Sequence, residues 1–77
     1  MPEIVYPVSF AVYPNPAAYQ LFVAGNTELT IFDIAGVPVL LVQTNGQPVD
    51  ISNLPAGVYT ARMKVATTYQ FTQFIKL

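Results

Sequence analysis

From Val58 onward, polar and apolar residues alternate: Tyr59, Ala61, Met63 and Val65 fall on one face of an extended chain, and Thr60, Arg62 and Lys64 on the other. A period of two marks a half-buried β-strand. It follows directly on Asn53-Leu54-Pro55-Ala56-Gly57, where Pro55 presets φ for the first corner of a tight turn and Gly57 is free to take the positive φ that such turns often need. The same pattern, interrupted by turn residues, covers the remaining chain. Ile4 to Val12 reads as a first strand, with Ile4, Tyr6, Val8, Phe10 and Val12 on one face, although Pro7 restricts it to an edge or a bulge. Tyr13-Pro14-Asn15-Pro16-Ala17 excludes helix and central strand and gives a stiff turn of polyproline II character. Tyr19 to Ala24 is a second strand that places Tyr19, Leu21 and Val23 together, closed by Gly25-Asn26 as a hairpin-type turn.

Glu28 to Ile34 is apolar on both faces, with Leu29 and Ile31 on one and Phe32 and Ile34 on the other, as suits a central strand. Val37 to Gln43 is expected to pair antiparallel with it across Asp33-Ile34-Ala35-Gly36, Gly36 supplying the left-handed residue. Thr44-Asn45-Gly46-Gln47 holds an Asn-Gly pair flanked by apolar runs, which predicts a type I′ hairpin into a brief fifth strand, Val49 to Ser52. After the strand from Val58, Ala66-Thr67-Thr68 leads to a terminal strand, Tyr69 to Leu77. There Tyr69, Phe71, Gln73, Ile75 and Leu77 share one face, and Thr72, Phe74 and Lys76 share the other, with Phe74 read as exposed. No segment has a helical period. About seven short strands with frequent turns predict an all-β, immunoglobulin-like antiparallel β-sandwich; spacing alone does not exclude a small barrel.

Composition sharpens this picture by what it removes. The 77 residues contain no Cys and no His, so the disulfides and metals that usually hold so small a domain together are not expected, and no cofactor is implied. Charged residues make up 9% against 53% hydrophobic, well below the roughly 25% charge of an average domain. Apolar surface is therefore expected to remain exposed, as at an interaction site, though a well-filled β core explains the composition equally. Net charge is −1 with three basic residues, which leaves nothing to neutralise phosphates and argues against nucleic acid. No apolar run approaches the roughly 18 residues that span a bilayer, and no charged leader followed by an apolar segment opens the chain.

Catalysis meets the same shortage. With no His or Cys, Ser9 and Ser52 have no base to activate them. The carboxylates Glu3, Glu28, Asp33 and Asp50 sit at strand edges or turns, where solvation or turn capping is their ordinary role. No glycine-rich loop enters a helix. A non-catalytic module is expected, with no small-molecule substrate. Gly36 and Gly57 are read as backbone necessities, Tyr59 as a core residue whose hydroxyl bonds to the main chain, and Leu54 as a plug at the end of the sandwich.

Four segments in order resemble a known family. Val12-Tyr13-Pro14-Asn15-Pro16-Ala17, Leu29-Thr30-Ile31-Phe32-Asp33-Ile34-Ala35-Gly36, Leu54-Pro55-Ala56-Gly57-Val58-Tyr59 and Phe74-Ile75-Lys76-Leu77 resemble the successive motifs of the type IX secretion system C-terminal sorting domain, the terminal Lys included. The resemblance covers residues 12 to 77, and each motif is weak alone. It implies a β-sandwich that directs a cargo protein of Bacteroidetes-type bacteria through the periplasm and across the outer membrane, to the cell surface or the medium. It further implies recognition by the translocon and an outer-membrane shuttle protein, and cleavage in many members by a sortase-like peptidase. The chain would then be the tail of a cargo that carries its own N-terminal signal. Residues 1–11 precede the usual start of the family pattern and read as a linker or an added edge strand. The expected recognition surface is the terminal strand with the adjacent turn: Pro55, Gly57, Tyr59, Phe74, Ile75, Lys76 and Leu77. Two rivals remain at this stage. One is an adhesion or carbohydrate-binding module using the five Tyr; the other is a homodimer paired through strand edges.

Overall fold

The computed structural model describes residues 12–23 and 26–77. The expected strand over Ile4 to Val12 lies outside them apart from Val12, as do Ala24 and Gly25. The described residues form seven strands: β1 (Val12–Tyr13), β2 (Gln20–Val23), β3 (Glu28–Phe32), β4 (Pro38–Gln43), β5 (Val49–Asp50), β6 (Gly57–Val65) and β7 (Thr68–Lys76). They make two sheets, ordered β1-β2-β5 and β4-β3-β6-β7, and every strand pair is antiparallel. No helix occurs among the described residues. The expected sandwich is therefore present. Compared with an immunoglobulin constant domain, the fourth strand has changed sheets and lies beside the third.

Alternation along the strands builds the core. Leu21 and Val23 of β2, with Val49 and Ile51, face Leu29 and Ile31 of β3, Tyr59 and Ala61 of β6 and Phe74 of β7; all are buried. Met63 packs against this cluster while Lys64 is exposed, so β6 follows its sequence pattern. Leu54 packs against the cluster from the loop before β6, as a plug would. The central position of β3 is also as read, since it pairs with both β4 and β6.

β3 ends earlier than its apolar run. Asp33 takes over the backbone at that point: its Oδ1 accepts from the N–H groups of Ala35 and Val37, both at 2.9 Å. Gly36 adopts φ 84° and its N–H donates to the Asp33 carbonyl at 2.9 Å. An aspartate closing its own turn competes with continuation of the strand, and Ile34 is left 86% exposed in the turn. Past the turn, the register slips between Ile31 and Phe32, which pair with Leu40 and Pro38. Pro38, which has no N–H to give, thus sits at a bulge on an edge strand, where a proline does least harm.

Three further expectations are corrected. Tyr19 does not join Leu21 and Val23 in the core; it precedes β2, is 74% exposed, and contributes its carbonyl to the Ile51 N–H at 2.9 Å. Asn45-Gly46 is not a type I′ hairpin. Only Gly46 has a positive φ, 82°, whereas type I′ needs one at both positions, and Asn45 Oδ1 instead accepts from the Gln47 N–H at 3.3 Å. β4 and β5 lie in different sheets, so this segment is a crossover. Thr44 holds its start by a 2.7 Å bond from its N–H to the Thr27 carbonyl, and β5 then pairs with β2, where Val49 and Ile51 reach the core. Beyond β5, Asp50 accepts from the Ser52 N–H at 2.9 Å. Hydrogen bonds from the Ser52 side chain and then its backbone hold the Asp50 carboxyl below the usual carboxylate range.

The third correction concerns β7. Its residues divide between two faces as expected, but the inner face is the other one: Phe74 is 1% exposed and Lys76 7%, while Tyr69, Phe71, Ile75 and Leu77 lie outside. Register against β6 decides this, because Phe74 sits opposite Tyr59 and their rings stack at 5.6 Å. Full burial of one such ring contributes about 1.5–3 kcal/mol, and truncation adds a cavity. Phe74→Ala is expected to lower stability by about 3–5 kcal/mol in chemical denaturation, whereas Phe71→Ala should cost under about 1 kcal/mol. Equal losses would contradict the inward placement of Phe74. Gly36→Ala, at a left-handed backbone with open space around it, should cost about 1 kcal/mol by the same measurement.

Candidate recognition surface

β7 is an edge strand, with β6 on one side and no strand on the other among the described residues. In an antiparallel pair, main-chain groups of alternate residues point towards and away from the partner. Ile75 marks the outward set: its N–H donates to Asn15 Oδ1 at 3.0 Å, and its carbonyl accepts from the Ala17 N–H at 2.8 Å. The Leu77 N–H donates to the Ala17 carbonyl at 2.8 Å, completing a short parallel bridge. Stepping back by twos, Gln73, Phe71 and Tyr69 also direct their N–H and C=O groups outward. No hydrogen bond within the structure satisfies those groups among the described residues. The edge therefore has two parts, one capped by Asn15–Ala17 and one open over Tyr69–Gln73.

The capped part lies at one end of the sandwich, and all four segments picked out in the sequence meet there. Gly57 pairs with Lys76, Phe32 with Thr60 and Pro38, and Asn15 with Ile75. Two shallow grooves join them: one lined by Phe32, Asp33, Gly36, Val58 and Phe71, the other by Asn15, Val58, Gln73 and Ile75. Within the 54–59 turn, the Tyr59 hydroxyl donates to the Pro55 carbonyl at 2.5 Å, the main-chain partner expected for a core tyrosine. Gly57 has φ 159°, close to extended, so β6 starts at it and the turn lies before it.

The expected surface residues thus separate. Pro55, Ile75 and Leu77 are exposed; Gly57 is half-buried; Tyr59, Phe74 and Lys76 are buried. The Lys76 ammonium donates to the Leu77 carbonyl at 2.8 Å, its stem covered by the fold. Pro14, Asn15 and Pro16 form the exposed cap, with Asn15 the one whose side chain bonds to β7. Gly36 lies at the same end, whereas Asn45 and Gly46 belong to the crossover from β4 to β5. The sequence reading selected the terminal strand but not the sheet face it belongs to, where Leu41 of β4 is exposed together with Tyr69, Phe71 and Ile75. Alternation already places Tyr69, Phe71 and Ile75 on one face, and the register of β7 against β6 makes that face the outer one.

No group of three His, Cys, Asp or Glu among the described residues is placed to hold a metal ion. The model of the family described as "Secretion system C-terminal sorting domain" matches residues 11–77. No curated protein matches the chain.

Asn15 is the side chain that ties the cap to β7. Asn15→Ala is expected to accelerate amide hydrogen exchange at Ile75 by about fivefold, for a hydrogen bond of about 1 kcal/mol. Exchange at Thr72, inside the β6–β7 ladder, should hardly change. An unaltered Ile75 rate would show that Asn15 does not close the edge.

Proposed function

The chain belongs to the secretion system C-terminal sorting domain family, and from that membership we propose that the open edge of β7, with the end of the sandwich beside it, is what the secretion machinery reads. The family assignment makes the domain a C-terminal sorting signal of type IX secretion, which implies contact with that machinery and export to the cell surface or the medium.

The proposal extends this to the partners. The translocon and an outer-membrane shuttle protein receive the domain during passage through the periplasm, and a sortase-like peptidase then separates it from the cargo. The signal occupies residues 12–77, with 1–11 as linker or added edge strand, and it performs no catalysis itself. One observation carries the reading: among the described residues, the outward main-chain groups of Tyr69, Phe71 and Gln73 are unpaired on an edge that is otherwise closed. A receptor strand laid along them would gain main-chain hydrogen bonds, and the exposed side chains of Tyr69, Phe71, Ile75 and Leu77 would give selectivity. Pro55 and Gly57 shape the adjoining end. Tyr59, Phe74 and Lys76 act from inside, by fixing the register that turns the other residues outward. Among the described residues the tyrosines do not form one platform: Tyr59 is in the core, and Tyr13, stacked on Phe22, lies on the other sheet from Tyr69.

Deleting Phe74 to Leu77 removes a core ring along with the edge, so loss of export would not separate recognition from folding. Gln73→Pro removes one outward N–H and no ladder bond, which an edge strand tolerates. Residues 1–77 fused to a periplasmic reporter in a type IX-competent host should reach the surface. The Gln73→Pro fusion should stay in the periplasm while the purified domain melts within a few degrees of the parent, as about 1 kcal/mol or less predicts. Normal delivery of the folded Gln73→Pro fusion would contradict the edge reading.

A further inference from the structure

Arg62 stands near the middle of the outer face of the four-stranded sheet. Register places Leu41, Thr30, Arg62 and Phe71 in one row across β4, β3, β6 and β7. Its guanidinium lies over two rings, 5.1 Å from the centroid of Phe32 and 4.5 Å from that of Tyr69. It makes one long hydrogen bond, to Thr30 Oγ1 at 3.4 Å, and has no carboxylate partner among the described residues. Stacking of this kind fixes the plane of the guanidinium while leaving most of its N–H fork unused. Its nearest exposed neighbours across the face are apolar, Leu41 at 67% and Phe71 at 57%, while the next row carries Glu28 and Lys64, both exposed.

We propose that this face docks against an apolar protein surface that presents a single Asp or Glu carboxylate, received in the fork of Arg62. The inference rests on the sorting-signal reading and supplies the chemistry of the partner. Covering the face removes water from Arg62, and a desolvated charge without a counter-charge opposes association. An occupant of the face therefore has to bring an anion, and a planar carboxylate matches the fork in two parallel hydrogen bonds. A lipid headgroup layer fits poorly, because anionic membranes are held by clusters of cations and, among the described residues, the only other cation on this face is Lys64. Among the described residues, a second copy could offer only Glu28 from this face, and a two-fold axis near the centre of the face sets Arg62 against its own image instead.

The test uses the full chain fused to a reporter in a type IX-competent host. Arg62→Gln and Arg62→Glu are compared with Arg62→Lys, alongside melting of each purified domain, and with a photo-crosslinking residue at Leu41 in the unaltered background. Arg62→Gln and Arg62→Glu should each lower surface delivery by at least about tenfold with the domain still folded, the loss expected when a charge pair closed off from water is broken. Arg62→Lys should retain part of it. The crosslink from position 41 should map to a protein segment containing Asp or Glu. Full delivery by the folded Arg62→Gln fusion, while Gln73→Pro remains trapped, would overturn this inference and leave the edge reading standing. Failure of the parent fusion to reach the surface would overturn both. If Arg62→Gln does not fold, the crosslink decides: capture of a second copy, of lipid, or of a segment without a carboxylate would refute the proposal.

Discussion

The contact on which the rest of the structure depends is the short bridge between Asn15–Ala17 and Ile75–Leu77. It joins the chain leaving β1 to the last strand of the other sheet, and so ties the two layers together at one end through main-chain hydrogen bonds. It also decides what the terminal strand has left to offer. Ile75 and Leu77 spend their outward groups on the cap, and Tyr69, Phe71 and Gln73 keep theirs. Natural edge strands are usually blunted by charge, proline, bulges or cover. β4, at the opposite edge of the same sheet, carries Pro38 and a register slip. The described part of β7 has no such device over Tyr69–Gln73, and its one charged residue, Lys76, is turned inside.

Inside the sandwich, Tyr59 and Phe74 set the direction of β7, and the burial they share has to serve in place of staples. A domain of this size removes only about 60% of its unfolded surface from water, and there is no Cys or His for a disulfide or metal centre. The low charge that fills the core also leaves Leu41, Phe71 and Ile75 in solvent. For a free-standing module that would be an aggregation risk. For a domain that contacts secretion machinery, the same surface is the one proposed to be held.

Much of this was legible from residue order. The alternation of Tyr59, Ala61 and Met63 gave the right inner face because β6 is long and flanked on both sides. Asp33 and Gly36 marked the β3–β4 turn through local chemistry alone. Asn45-Gly46 misled because a turn signal says that the chain bends, not which sheet it bends into; the choice was made by Val49 and Ile51 finding β2. Phe74 misled for a related reason: with more apolar residues on the outer face of β7 than on the inner, counting favours the wrong side, and only pairing with Tyr59 corrects it. Arg62 read as an ordinary solvent-facing charge, since nothing in the order of residues brings Phe32 and Tyr69 to either side of it.

Family membership gives the task, and the proposed place for it is a strand edge half closed by the chain's own Tyr-Pro-Asn-Pro segment, beside a sheet face with one stacked cation. The most direct measurement is amide hydrogen exchange along β7 in the isolated domain and again with a detergent extract of outer membranes from a type IX-competent host. The account predicts fast exchange at Tyr69, Phe71 and Gln73 in the isolated domain, slow exchange at Ile75, and protection of the three fast amides once the extract is added. Exchange at those three positions that stays fast in the extract, with protection appearing elsewhere on the domain, would contradict it.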